Sequence, residues 1–329
     1  MFNIISIILG FILLIKSADF LVDGASKIAK KFNIPEIVIG LTIVAIGTSM
    51  PELVVSLTSA IEGHSDLAIG NVVGSNMANM FLILGICSII KPLTFKRETK
   101  VFELPFTIFV TAILYFICVN DKIIVRKEGV TLLVLCLIYF IYNFIMAKKG
   151  NEFDNENTLL EIKTKNLNES SMLGAIFKII LGAVGLKIGG DLVVNGSVSI
   201  AKQLQISEKL ISLTIVAFST SLPELITSIT ATKKGDTDIA IGNVIGSQIL
   251  NILLIIGVSA TVNPIAYSNQ YNSNIILLII GSIVLASFPF FGEKFNKMNR
   301  MIRTDGILFC MVYVVYMMNI IVAEVGVAR

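Results

Sequence analysis

Two short segments hold most of the polar chemistry in an otherwise apolar chain. The first contains GTSMPE at 47–52 and GNVVGSNMAN at 70–79; the second contains STSLPE at 219–224 and GNVIGSQILN at 242–251. Each supplies a carboxylate (Glu52, Glu224), hydroxyls (Thr48, Ser49 and Ser75; Thr220, Ser221 and Ser247), an amide (Asn79, Asn251) and a proline (Pro51, Pro223). On a helix, residues four apart share a face, so Thr48 lines up with Glu52, Ser75 with Asn79, and Ser247 with Asn251. Proline has no N–H, so the carbonyl of Gly47, four residues before Pro51, loses its intrahelical partner and becomes a further oxygen donor. No His or Cys joins the set. All-oxygen donors suit hard cations such as Ca²⁺, Na⁺ or Mg²⁺ and argue against Zn²⁺ or Cu⁺.

Charge narrows the chemistry further. Two ionised glutamates balance one Ca²⁺ or two Na⁺. Without cations, two buried carboxylates would stand uncompensated at a cost of several kcal/mol. A site of this kind crosses a membrane more readily occupied than empty, which points toward exchange of one cation for another.

The elements that must position these groups are membrane helices. Of 329 residues, 55% are hydrophobic and 15% charged, against about 25% charged in an average soluble domain; the mean hydropathy is +0.85. A spanning helix needs roughly 20 mostly apolar residues. Such stretches lie at 2–24, 36–61, 67–90, 101–120, 129–147, 172–199, 210–232, 238–262, 273–291 and 305–323. The expected fold is therefore an all-α polytopic membrane protein of about ten helices, since lipid leaves backbone groups no other partners. The first stretch has no basic segment before it and no small-residue cleavage site after it, and reads as a retained helix rather than a signal peptide.

The chain is also written twice. Leu41–Gly85 aligns without a gap to Leu213–Gly257, an offset of 172, with more than half of the positions identical. The same offset relates Asp19 to Asp191 and Gly24 to Gly196. The expected organisation is a first five-helix repeat at 1–147, a hydrophilic linker at 148–171, and a second repeat at 172–329. Five is odd, so the second repeat enters the membrane inverted, an arrangement common in transporters with a midplane site. With both termini outside, the cytoplasmic loops hold 17 Lys and Arg and the outer loops and tail hold 6. The positive-inside rule thus expects both termini outside and the linker in the cytoplasm of a cell membrane.

These duplicated motifs resemble the sodium/calcium exchanger family of the cation/calcium antiporter superfamily, across both repeats and most of the chain. The short linker is similar to that of prokaryotic members and leaves no room for the large calcium-sensing insert of animal exchangers. The resemblance implies Na⁺/Ca²⁺ antiport, with Glu52 and Glu224 shared by both ions. It implies Thr48 and Thr220 as ligands of a central calcium site. It implies the backbone carbonyls of Ala45 and Ala217 and the hydroxyls of Ser75 and Ser247 at outer sodium sites, with Asn79 and Asn251 lining the middle. Ser49, Ser221, Pro51 and Pro223 support the motif. It further implies that the first and sixth helices slide to alternate access, and an exchange of about three Na⁺ per Ca²⁺, which moves net charge. Two positions depart from the pattern: Asn251 stands where several relatives carry Asp, a residue linked to K⁺ use, and Ser219 replaces the usual Gly.

Other readings follow from the residues alone. H⁺/Ca²⁺ antiport could use the same glutamates, and a cation channel is a further alternative. No GxGD pair, HExxH or Ser/Lys arrangement supports an intramembrane enzyme, so a secondary transporter without cofactors is expected. Its partners are Ca²⁺, Na⁺ and the lipid bilayer; a monomer suffices, and the absence of a basic stripe with interleaved aromatics argues against nucleic acid. Cys87, Cys118, Cys136 and Cys310 fall in apolar spans and read as core residues. Asp19 and Asp191 read as helix-end groups that snorkel, cap or pair with lysine. Lys16, Lys178 and Lys187 read as interfacial, His64 as solvated, and Asp66 and Asp238 as caps of the helices that follow.

Overall fold

The computed structural model describes residues 2–32, 34–97, 99–157, 172–203, 217–291 and 300–327. Eight helices within these residues are long and apolar enough to cross a membrane: α1 (Asn3–Phe32), α4 (Ser65–Ile90), α5 (Thr99–Asn120), α6 (Arg126–Ala147), α7 (Met172–Ile200), α10 (Thr237–Val262), α11 (Asn269–Phe288) and α12 (Arg303–Val322). A ninth crossing is broken: α2 (Glu36–Thr48) and α3 (Met50–Ile61) meet at 50°. The stretch expected at 210–232 lies partly outside the described residues; its remainder forms α8 (Ala217–Thr220) and α9 (Leu222–Lys234). The chain is thus a multi-pass, predominantly helical membrane protein.

Pro51 and Pro223 explain both breaks. A proline inside a helix removes a hydrogen bond and its ring clashes with the carbonyl four residues back. The helix stops one turn earlier and restarts with proline in its first turn, where no N–H is needed. Ser49 (φ −84°, ψ 7°) and Ser221 (φ −83°, ψ 3°) are the matching hinge residues. Each break leaves a fresh helix N-terminus in the protein interior, and Glu52 and Glu224 sit in those first turns. The positive end of a helix dipole favours a carboxylate there.

The buried centre is α10 packed against α2 and α4, with their mirror contacts. α10 is 94% buried over its spanning window, α4 is 72% buried, and α1 and α7 only 28% each. Gly40 and Gly242 bring backbones together at the crossing of α2 with α10: a Cβ on Gly242 would lie 2.6 Å from the Ile37 carbonyl oxygen. Turns of π-helix at Ala78–Ile83 in α4 and Asn251–Ile256 in α10 occupy equivalent places. A π turn inserts one extra residue and re-aims the side chains around it.

α1 and α7 pair along their length outside this centre. Gly10 meets Gly189, Gly24 meets Ala175, and Gly196 meets Asn3, so the two helices run antiparallel. Since α7 is the sequence counterpart of α1, this crossing is the direct expression of an inverted repeat. Two short ladders tie loops of the halves together at opposite ends of the bundle. β1 (Leu93–Thr94) pairs with β4 (Arg300–Met301), and β2 (Ile123–Ile124) with β3 (Ile265–Ala266), both antiparallel.

The expected lysine pairing of Asp19 and Asp191 holds, whereas their helix-end placement and the capping by Asp66 and Asp238 change. α1 extends to Phe32, so Asp19 lies in its interior rather than near its end. Lys234 Nζ reaches Asp19 Oδ1 at 3.0 Å and Asp23 Oδ1 at 2.8 Å, and Lys178 lies 3.5 Å from Asp23, so these charges clasp α1, α7 and α9 together. Asp191 pairs with Lys187, four residues earlier on its own helix, at 2.7 Å. Asp66 and Asp238 are not caps: the N-cap positions belong to His64 and Asp236, neither with a side-chain capping bond. Asp238 instead pairs with Lys96 at 2.5 Å, because a first-turn carboxylate points outward along the helix. The four cysteines are free, three of them buried.

The α1–α7 seam is intolerant of bulk. A Cβ on Gly182 would sit 2.7 Å from Leu21 N and 2.8 Å from the Ser17 carbonyl oxygen, whereas nothing lies within 4 Å of one on Gly174. Gly182→Leu is expected to destabilise the purified protein by about 1–3 kcal/mol through overpacking, and Gly174→Leu to leave thermal unfolding at the wild-type midpoint.

Candidate functional site

The two helix breaks face each other across the centre of the bundle, and the duplicated polar residues meet there. Glu52 and Glu224 have no solvent exposure, nor do Thr48, Ser75, Ser247 and Asn79, and Asn251 has 1%. The wiring crosses between halves. Ser49 Oγ donates to Glu224 Oε1 at 2.9 Å, and Ser221 Oγ donates to Glu52 Oε1 at 3.4 Å. Ser49 Oγ also lies 2.9 Å from Ser247 Oγ. Ser75 Oγ lies 3.4 Å from both Glu52 Oε1 and Thr220 Oγ1.

Beneath them is a framework of residues outside the expected ligand set. Asn71 Nδ2 donates to the Glu52 carbonyl at 3.2 Å and to Ser56 Oγ at 2.9 Å, while its Oδ1 accepts from Thr220 Oγ1 at 3.2 Å. Asn243 repeats this: Nδ2 donates to the Glu224 carbonyl at 3.4 Å and to Ser228 Oγ at 2.9 Å, and Oδ1 accepts from Thr48 Oγ1 at 3.0 Å. Each asparagine therefore fixes the glutamate-bearing turn of its own half and the threonine of the other. A signal for them exists in the sequence, since Asn71 and Asn243 are the second residues of the two GNV motifs. Asn76 and Gln248 add a reciprocal pair: each side-chain amide donates to the other's carbonyl, at 3.3 and 3.4 Å, and Asn251 Nδ2 donates to Asn76 Oδ1 at 2.9 Å.

The atoms left over are mostly oxygens. Glu52 Oε2, Glu224 Oε2, Asn251 Oδ1, Gln248 Oε1 and both amide atoms of Asn79 are buried without a hydrogen-bond partner. A buried polar atom left unpaired costs about 1–3 kcal/mol, more for a charge. Here a pair of carboxylate oxygens, ringed by hydroxyls and amides, is held with lone pairs free, which is the donor set of a hard-cation site.

The residues expected from the sequence divide as follows. Glu52, Glu224, Ser49, Ser221, Ser75, Ser247, Thr48 and Thr220 converge. The Ala45 carbonyl accepts from Thr48 Oγ1 at 3.3 Å. Ala217 begins the single turn that ends at Thr220. Asn79 and Asn251 sit at the π turns. Pro51, Pro223 and Thr220 line a cavity of about 130 Å³ that runs between α7 and the breaks and reaches the Lys187–Asp191 pair.

This arrangement has counterparts among known proteins. Residues 2–147 and 174–322 match the family described as sodium/calcium exchanger protein. The chain is 36% identical over 316 residues to the putative antiporter CaxA of Alkalimonas amylolytica, covering 95% of this chain and 96% of that one. It is 32% identical over 350 residues to the sodium/calcium exchanger MaX1 of Methanosarcina acetivorans, covering 96% and 97%. The solved structure of the sodium-calcium exchanger NCX_Mj soaked with Na⁺ and Ca²⁺ superposes with a TM-score of 0.81 at 31% identity, over 96% of this chain and 97% of that one.

Removing either framework asparagine strips one acceptor and two donors from the centre. Asn71→Ala and Asn243→Ala are each expected to lower stability by about 1–3 kcal/mol, by similar amounts in the two halves, measured as thermal unfolding of the purified protein. A wild-type melting curve for either would show that the turn is held by something else.

Proposed function

Because this chain belongs to the sodium/calcium exchanger family, and is a multi-pass membrane cation antiporter rather than an enzyme, we propose that it exchanges Na⁺ for Ca²⁺ at the Glu52–Glu224 site by alternating access. The observation that carries the reading is the pair of buried, partner-free carboxylate oxygens at the centre of an all-oxygen cage. Two negative charges match one Ca²⁺ or two Na⁺, so the ions compete for the same carboxylates and bind in alternation. Thr48, Thr220, Ser75, Ser247, Asn79, Asn251 and the carbonyls of Ala45 and Ala217 complete the shells. Ser49 and Ser221 orient the opposite half's glutamate, and Pro51 and Pro223 create the helix ends.

A stoichiometry of about three Na⁺ per Ca²⁺ moves one net charge per cycle, worth about 2.3 kcal/mol per 100 mV of membrane potential. Asn251, with no third carboxylate beside it, supports operation without K⁺. The cavity beside Pro51, Thr220 and Pro223 supports an approach to the site along α7, and the sparse burial of α1 and α7 supports their moving against the centre. The loop charges support a cell-membrane protein with both termini outside and the 148–171 linker in the cytoplasm. The repeats at 1–147 and 172–329 are its two functional halves, and one copy carries the whole site.

The test is ⁴⁵Ca²⁺ uptake into liposomes carrying the purified protein under an outward Na⁺ gradient, with K⁺ absent and with a protonophore present. Uptake that follows the Na⁺ gradient and accelerates with inside-positive potential is expected; uptake driven by a pH gradient and indifferent to Na⁺ overturns the reading in favour of H⁺ coupling. Glu52→Gln and Glu224→Gln are each expected to reduce exchange by at least about 100-fold, since a lost carboxylate leaves the divalent ion half-compensated in a low-dielectric interior. Exchange within about tenfold of wild type in either variant, or about 1.4 kcal/mol, removes that glutamate from the site.

A further inference from the structure

A second buried carboxylate lies away from the central cage. Glu103 closes the π-helical turn Thr99–Glu103 that starts α5 and is 4% exposed. It faces α6, where Tyr139 is fully buried and Asn143 is 1% exposed. The Tyr139 hydroxyl lies against both the Glu103 carboxyl and the Asn143 amide. Even so, Glu103 Oε2, Tyr139 Oη and Asn143 Oδ1 all lack a well-formed hydrogen bond. Asn143 commits its Nδ2 to the Tyr139 carbonyl at 3.0 Å, which turns its Oδ1 away from that bond. No basic side chain among the described residues forms an ion pair with Glu103. The walls are aromatic: Phe102 stacks on Tyr142, and Phe106 on Tyr139 at 5.3 Å.

The repeat indicates that this cluster is not a by-product of the fold. The offset of 172 still relates Leu93 of β1 to Ile265 of β3, and carried into α5 it makes Ile275 the counterpart of Glu103. Beyond α5 the register shifts. Gly129 of α6 packs at Gly257, and Gly306 of α12 packs at Gly85, which sets α6 against α12 at an offset of 177. The counterparts of Tyr139 and Asn143 are then Tyr316 and Ile320. The second half fills the place of Glu103 with a buried isoleucine, so the fold does not need a carboxylate there. A buried carboxyl with no basic partner is held either protonated or with a cation that compensates its charge.

We propose that Glu103, Tyr139 and Asn143 form a separate site for a monovalent alkali cation, held between α5 and α6 outside the transport cage. One carboxylate with two neutral oxygens balances a single positive charge; a divalent ion would leave one charge uncompensated among aromatic rings. The donors are all oxygen, the preference of hard cations. Bound there, the cation joins the start of α5 to the C-terminal part of α6 and stabilises the first half alone.

The test uses purified full-length protein carrying Glu52→Gln and Glu224→Gln, so that the central cage is disabled, and thermal unfolding in NaCl against choline chloride at equal ionic strength. A midpoint raised by Na⁺ in that background, and no longer raised once Glu103→Gln is added, is the expected result. No Na⁺-dependent shift, or one that survives Glu103→Gln, overturns the proposal. Should the double variant fail to fold, equilibrium binding of ²²Na⁺ to otherwise wild-type protein decides the matter. Glu103→Gln is expected to bind one Na⁺ fewer per chain, and an unchanged count refutes the site.

Discussion

Two carboxylates held in the middle of an apolar bundle constrain everything around them. Moving a charge out of water costs several kcal/mol even after the protein relaxes, and Glu52 and Glu224 are both fully buried. The fold meets this cost locally. Each glutamate stands at the start of a helix broken by proline, so a helix dipole points at it. A serine from the opposite half donates to one oxygen of each, and the other oxygen of each stays free. A geometry that satisfied all four oxygens would leave nothing for a cation to bind; one that satisfied none would not be stable.

The cross-wiring also explains why the repeat persists in the chemistry and not only in the helix count. Asn71 binds the glutamate-bearing turn of its own half and the threonine of the other, and Asn243 does the reverse. Neither half can complete its own site. The glycines at the α2–α10 crossing belong to the same logic, since hydrogen bonds between the halves require backbones that approach closely.

Much of this is legible in the sequence because a membrane interior penalises polar residues that have no task. Glu, Thr and Ser in apolar spans, twice over at one offset, mark a site, and the prolines mark the breaks. The framework asparagines are harder to single out. Asn71 and Asn243 look like any amide in a motif until three partners for each are visible. The π turns have no sequence mark of their own. Asp19 reads as a helix-end residue only because α1 runs about two turns past its apolar stretch, through residues whose polarity conceals the helix. Glu103 is obscure for a different reason: a repeat draws attention to what is duplicated, and Glu103 is what the second half lacks.

The clasp between Lys234, Asp19, Asp23 and Lys178 has the same one-sided character. At the offset of 172, these positions correspond to Glu62, Asp191, Asn195 and Ser6 in the other half, a set with no cation in it. Two halves that match in the oxygens of the central cage therefore differ in how firmly each end of the α1–α7 pair is tied to the centre. Partly exposed ion pairs of this kind contribute about 0.2–1 kcal/mol each. Among the described residues, this three-helix clasp is therefore present at one end of the pseudo-symmetric pair and not at the other, and being partly exposed it weakens as salt concentration rises.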